Sequence, residues 1–311
     1  MNHYRPEGTA VLTAENREAI SSLEGLERAL ETGAILEAPA VLADAGFNLH
    51  VSLGPNLHGV MARDEVQFCP EDESVKDIAI LTRVGKPVCF KVIGFRKEGG
   101  KTTVHLSRRE AQRECMESYV AGLLPGDVIP ARITHLENFG AFADIGCGVI
   151  SLLPIDCISV SRIHHPSARL SVGDNLFTVV RSIDERGRIY ISLRELLGTW
   201  EENAARFEEG QTVRGTVRSV EPYGIFVELL PNLSGLAEFK ENVRPGQSAA
   251  VYIKSLIPEK MKVKRILIDA TDDVPPPEKL SYFVDTSSTF HMDSWQYSPV
   301  DCEKRIGTVF E

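Results

Sequence analysis

Phe139 and Phe142 stand three residues apart with Gly140 between them, so a strand bent at the glycine can hold both rings near one another on the outside of a small β-domain. Exposed ring pairs are suited to stacking on unpaired nucleobases. Each stacked base contributes on the order of 1–3 kcal/mol with little sequence preference, because every base has a π-face. Arg132 and Arg188 are candidates to hold the intervening phosphates. Further along, Lys260, Lys262 and Lys264 alternate, which on a strand puts three ammonium groups on one face beside Arg265, a candidate track for a nucleic-acid backbone. Each pattern has a plainer alternative. A phenylalanine in a strand is usually core, and alternating lysines are often a solvated face that discourages edge pairing. By themselves these residues leave both readings open.

Other chemistry finds less support. His164-His165-Pro166 suggests a metal ligand or general base, but adjacent histidines point opposite ways in extended chain and no carboxylate cluster accompanies them, so they read as part of a loop crossing one end of a domain. Cys69, Cys89, Cys115, Cys147, Cys157 and Cys302 are scattered with no C-x-x-C pair, which predicts reduced thiols and no metal site. No phosphate loop, carboxylate pair or nucleophile-base set stands out. The expectation is a protein that is not an enzyme and carries no cofactor.

The elements that position these residues come from a repeat. Glu137-Asn138-Phe139-Gly140-Ala141-Phe142-Ala143-Asp144-Ile145 aligns without gaps on Glu221-Pro222-Tyr223-Gly224-Ile225-Phe226-Val227-Glu228-Leu229 at an offset of 84 residues. A divergent copy lies 92 residues upstream of the middle one, where Gly46-Phe47-Asn48-Leu49-His50-Val51 precedes Gly59-Val60-Met61. Within the middle copy, short alternating apolar-polar runs punctuated by Gly126, Gly140, Gly146, Gly148, Gly173 and Gly187 predict about five antiparallel strands in some 70 residues, too few for a sandwich and right for a small closed barrel. From Ser151 to Gly173 the middle copy has 11 residues more than the third has from Gly235 to Gly246.

Helical spacing appears between the copies, from Ser107 to Leu124 and from Leu193 to Glu209, with Trp200 expected to dock on a barrel. Thr13 to Thr32 reads as one amphipathic helix capped by Thr13 and stopped at Gly33. Pro275-Pro276-Pro277 closes the folded part, and the tail beyond it holds Tyr282, Phe283, Phe290, Trp295 and Tyr297, enough aromatics to predict that it docks. The predicted organisation is mainly β. An N-terminal helical segment (1–32) leads into a divergent barrel (33–108), a helical linker (109–124), a middle barrel (125–193), a second linker (194–208), a shortened third barrel (209–270) and an acidic aromatic tail (271–311).

A net charge of −10 sits badly with phosphate binding until its distribution is examined. Residues 1–32 carry three Arg against six Glu, and residues 271–311 carry three basic against eight acidic side chains. The ends therefore hold most of the deficit. Residues 209–270 carry nine basic against seven acidic groups, so a basic patch is compatible with an acidic protein.

Gly126-Asp127-Val128, Phe139-Gly140-Ala141-Phe142, Arg162-Ile163-His164-His165-Pro166, Gly173-Asp174, Ile183-Asp184-Glu185-Arg186-Gly187-Arg188-Ile189 and Ile191-Ser192-Leu193 together resemble the S1 domain of the ribosomal protein S1 family. The resemblance covers roughly residues 33–270 in three units, strongest in the second. It implies five-stranded oligonucleotide-binding (OB-fold) barrels in tandem, each with two exposed aromatics, a histidine, and an Asp and Arg near the last turn. Carried over position by position, it assigns RNA contacts to Phe139, Phe142, Asp184 and Arg188, with Pro154 where the histidine is expected. In the third barrel it assigns Tyr223 and Phe226, with Glu238 and Ile257 at the histidine and Asp positions; in the first it assigns Phe47 and His50, with Ala62 at the histidine position.

The implied function is binding of single-stranded RNA, messenger RNA with weak sequence preference, in bacterial translation with or near the small ribosomal subunit. Two other readings stay open: an adaptor in RNA decay or transcription, and a protein-interaction module with a degenerate RNA face. No apolar stretch approaches a membrane span and no apolar signal core follows Met1, so a cytoplasmic protein without membrane contact is expected, monomeric by default.

Overall fold

The computed structural model describes residues 4–69, 74–98, 100–273 and 280–311. Contacts divide the chain into two compact units: residues 1–123 with 130–132 and 144–150, and residues 124–129, 133–143 and 151–311.

The first unit opens with two helices where the sequence predicts one. Thr13 caps α1 (Ala14–Ser21) by accepting the Asn16 N–H at 3.3 Å; Ser22 then takes an extended conformation and caps α2 (Leu23–Thr32) by accepting the Gly25 N–H at 3.1 Å. The break arises because a serine hydroxyl satisfies the free N–H groups of a new helix start. Gly33, at φ 67°, stops α2. The strands β1 (Leu36–Ala43), β2 (Leu49–Ser52) and β3 (Leu57–Met61), the short helix α3 (Asp77–Leu81), and the strands β4 (Pro87–Glu98) and β5 (Lys101–Ser107) follow. The strands close a barrel in the order β1-β2-β3-β5-β4 around Leu49, Met61, Phe90 and Leu106. Helix α4 (Arg108–Ser118) is capped by Ser107.

Buried charges tie the N-terminal segment into this unit. Glu7 receives two bonds from Arg108, at 2.6 and 3.0 Å, and lies 3.5 Å from Arg83. Its backbone N–H donates to Asp144 at 2.7 Å, while Glu37 accepts the N–H groups of Gly8, Ala10 and Val11, each at 3.0 Å. Burial pushes the Glu37 carboxyl up to about 7 against those three donors. Burial, followed by the neighbouring Glu7, also raises Asp144. Glu7 goes the other way, because the Arg108 guanidinium outweighs its desolvation.

The middle barrel consists of β6 (Val128–Glu137), β7 (Gly140–Asp144), β8 (Ile150–Pro154), β9 (Asn175–Ile183) and β10 (Ile189–Ser192), closed in the order β10-β8-β7-β6-β9. The linker after it is a 3-10 turn (Arg194–Leu197) and the five-residue helix α5 (Trp200–Ala204), not one continuous helix. Phe283 explains the break. Its ring lies against Gly198, where a Cβ would come within 2.6 Å of it, and Gly198 sits at φ 81°. The third barrel, β11 (Thr212–Glu221), β12 (Gly224–Leu230), β13 (Leu233–Ala237), β14 (Ser248–Ile257) and β15 (Lys262–Thr271), closes in the order β11-β12-β13-β15-β14. All three barrels thus repeat one topology.

Within the second unit, Glu228 of β12 holds Arg169 of the middle barrel's long loop (2.6 and 2.7 Å) together with Arg218 (2.8 and 3.0 Å). The two guanidiniums keep its carboxyl below the usual range despite burial. The tail packs, and forms a hairpin of β16 (Ser294–Gln296) and β17 (Gly307–Val309). Trp295 and Tyr297 are buried beside Trp200, whose backbone N–H donates to the Tyr297 carbonyl at 3.0 Å. Upstream, Val128 donates to the Phe290 carbonyl at 2.9 Å and His291 lies 2.7 Å from Asp127. Pro275-Pro276-Pro277 lies outside the described residues.

Candidate nucleic-acid interface

Along β7 Ala141 and Ala143 are buried in the core, and Phe142 between them is the strand's one partly exposed residue, on the opposite face. Phe139 occupies the turn before the strand and is 55% exposed. The two rings meet edge to face, with centroids 6.0 Å apart and planes at 87°. Gly140 makes this possible. A Cβ there would lie 2.4 Å from the Leu153 carbonyl oxygen, so only glycine lets β8 approach while the chain turns between the rings. The outward face continues through Leu152 of β8 to Tyr190 of β10, which is paired with it.

The third barrel reproduces this arrangement. Tyr223, 68% exposed, and Phe226 stand 6.2 Å apart at 89°, and a Cβ on Gly224 would lie 2.5 Å from the Ala237 carbonyl. Phe226 faces Leu236, and Leu236 faces Lys264. Lys264 therefore holds the position that Tyr190 holds in the middle barrel.

The structure groups the remaining predicted residues unevenly. Asp184 and Arg188 meet in the turn from β9 to β10: the Arg188 backbone N–H and Nε reach the carboxylate at 2.9 and 2.7 Å, and the Arg186 N–H at 3.0 Å. The Arg188 backbone N–H leads these donors in holding Asp184 below the usual carboxylate range, and the Arg188 head stays 63% exposed. Arg132 counts with the first unit, its guanidinium carbon 3.4 Å from where a Cβ on Gly8 would sit. The three lysines do not share one strand face. Lys260 closes a 3-10 turn (Pro258–Lys260), Met261 turns left-handed at φ 47°, and β15 begins at Lys262, so only Lys262 and Lys264 line the strand. Arg265 is buried, its Nη1 donating to the Val227 carbonyl at 2.5 Å, and desolvation lowers its pKa to about 9.

The first barrel's wall differs in kind. Phe47, at φ 60°, packs against the core under the Arg63 guanidinium, 5.0 Å from its ring centroid. His50 lies 3.1 Å from Asp44 and 2.8 Å from His58. Asp44 is held well below the usual range, first by Asn48 and then by His50; burial, then His50, lowers His58.

Sequence reasoning missed His135 and Glu137. His135 is exposed on β6 with its ring 6.4 Å from Phe142 at 22°, and Glu137 lies 2.8 Å from its Nε2. The resemblance seeks an imidazole at Pro154 on β8, whereas this one arrives from the strand on the other side of β7. Its signal was the cross-strand register, readable by analogy once Ser219 is seen opposite Phe226. Among the described residues, no group of three or more His, Cys, Asp or Glu could hold a metal ion, and no helix is long and apolar enough to cross a membrane.

Tandem five-stranded barrels with outward ring pairs define a class, the multi-repeat S1-type proteins. Residues 124–194 match the family described as S1 RNA binding domain. The chain is a multi-domain protein of the S1 family. It is 28% identical to small ribosomal subunit protein bS1 of Rhizobium meliloti over 82% of this chain and 46% of that one, and 29% identical to bS1 of Staphylococcus haemolyticus over 97% and 77%. With bS1 of Staphylococcus epidermidis it shares 30% identity over 75% and 58%. The chain thus spans about half the length of several curated relatives it matches. A multidomain protein with nucleic acid binding domains from Streptococcus pneumoniae aligns at 15% identity over 76% of this chain and 73% of that one, with a TM-score of 0.25.

Proposed function

We propose that this protein binds single-stranded RNA, messenger RNA with weak sequence preference, in bacterial translation at or near the small ribosomal subunit. The observation that carries this reading is the recurrence of one outward ring pair, at 6.0 Å and 87° and again at 6.2 Å and 89°, in two barrels of an S1-family chain. Each pair keeps one ring, Phe139 or Tyr223, more than half exposed to water, and flat rings on barrels that also expose Arg188, Lys262 and Lys264 suit unpaired bases and their phosphates. The protein acts as a non-catalytic binder in the cytoplasm, with Phe139, Phe142, Tyr223 and Phe226 as stacking residues. Arg188, oriented by Asp184, and the two strand lysines carry the charge.

Filter binding to short unstructured RNA over a salt series tests the RNA reading. The expected outcome is binding that weakens with salt at a log-log slope of roughly −0.7 per contacted phosphate. Binding that is absent at low salt contradicts it. Co-sedimentation with small ribosomal subunits tests the assignment to translation; a protein that binds RNA but never sediments with the subunit contradicts that part alone.

A further inference from the structure

We propose that His135 is a third stacking plate of the middle barrel, giving that wall room for one more nucleobase of single-stranded RNA than the third barrel's wall. The inference rests on the RNA reading above and deepens it.

Three observations carry it. The His135 side chain is 61% exposed, and its ring lies 6.4 Å from Phe142 at an interplanar angle of only 22°. Phe139 meets Phe142 edge-on from elsewhere, so Phe142 has a near-parallel neighbour in His135 alone of the two. Near-parallel plates suit successive bases of a strand, whose planes are themselves near-parallel when stacked.

Second, the imidazole is pre-positioned. Glu137 Oε1 lies 2.8 Å from Nε2, and an ionised carboxylate only accepts, so Nε2 carries the hydrogen in the neutral ring and Nδ1 keeps its lone pair. That lone pair can receive an amino or imino hydrogen from a base edge. A side chain already held by Glu137 also loses less freedom on binding.

Third, the position is particular to this barrel. The residue facing Phe226 in the third barrel is Ser219, and the residue facing His50 in the first is Leu42. Neither offers a ring. An exposed His–Glu pair contributes little to stability, so keeping the fold together does not by itself account for the arrangement.

The test uses the full chain with the third wall disabled by Tyr223→Ala and Phe226→Ala, and fluorescence anisotropy with labelled oligouridylates of increasing length. In this background His135→Ser is expected to weaken binding about fivefold and to reach its plateau affinity with an oligonucleotide one residue shorter, while His135→Phe, which restores a ring, stays within about twofold of the parent. A merely structural histidine would not produce a length-dependent loss rescued by a different ring. If His135→Ser leaves affinity and plateau length unchanged while Phe139→Ala with Phe142→Ala abolishes binding, the third plate is refuted and the RNA wall stands. Should neither set of substitutions alter binding, both fail together.

Discussion

Where the middle barrel carries Phe142, the first barrel carries His50, on the same strand of the same five-stranded topology. Their surroundings are opposite. His50 is engaged on both ring nitrogens, by Asp44 and His58, and Phe47 beside it is folded against the core under Arg63. The middle barrel's Phe142 is half-buried and has Phe139 edge-on and His135 near-parallel as ring neighbours, and Phe139 is more than half exposed. A shared backbone therefore does not fix a shared role. What decides it is whether the outward side chains satisfy each other or are left to be satisfied by a ligand.

The first unit also turns its polar side chains inward, into the Glu7, Glu37, Asp144 and Arg108 bracket, and this gives the contrast a pH signature. Glu37 has its carboxyl at about 7, above the ordinary 4.5, so the folded state holds a proton that the unfolded chain releases between those values. That stability is fully present below 4.5 and lost as pH rises through 7. Urea unfolding of the first unit should show greater stability at pH 5 than at pH 8, with about 2 kcal/mol of the difference belonging to Glu37 and disappearing in Glu37→Gln. A pH response identical in the variant would remove the inward bracket from the comparison.

Next in size is the outward wall. Phe139→Ala with Phe142→Ala should weaken RNA binding at least about tenfold while the protein stays folded, because Phe139 is exposed and Phe142 is only partly buried. Unchanged affinity in a folded variant would remove the site. Lys262→Ala with Lys264→Ala should flatten the log-log salt slope by about 1.4, roughly 0.7 for each lost cation, as measured by filter binding. The smallest effect is expected in the first barrel. His50→Ala should change RNA affinity by less than about twofold, since its ring is already engaged, and a loss comparable to that of the phenylalanine pair would erase the distinction.

The barrels and the ring pairs were legible because each depends on local pattern: glycine where strands approach closely, and an offset of 84 residues that places Tyr223 over Phe139. What escaped depends on contacts far apart in sequence. The linker breaks at Gly198 because Phe283, 85 positions later, lies against it. Lys260 leaves the strand face because Met261 turns left-handed after a proline-started 3-10 turn, a conformation that the alternating lysines do not announce. The placement of Arg132 beside Gly8 depends on a fold the local sequence does not show. His135 went unread because its importance comes from facing Phe142 across a strand pair.

The central claim is that RNA lies on the outward rings of the middle and third barrels and not on the first. Ultraviolet crosslinking of the intact protein to oligouridylate, followed by peptide mass spectrometry, addresses it directly. Adducts should concentrate on the peptides containing Phe139 with Phe142 and Tyr223 with Phe226, leaving the peptide with Phe47 and His50 unmodified. Crosslinks confined to the Phe47–His50 peptide, with both ring pairs clean, would contradict the account.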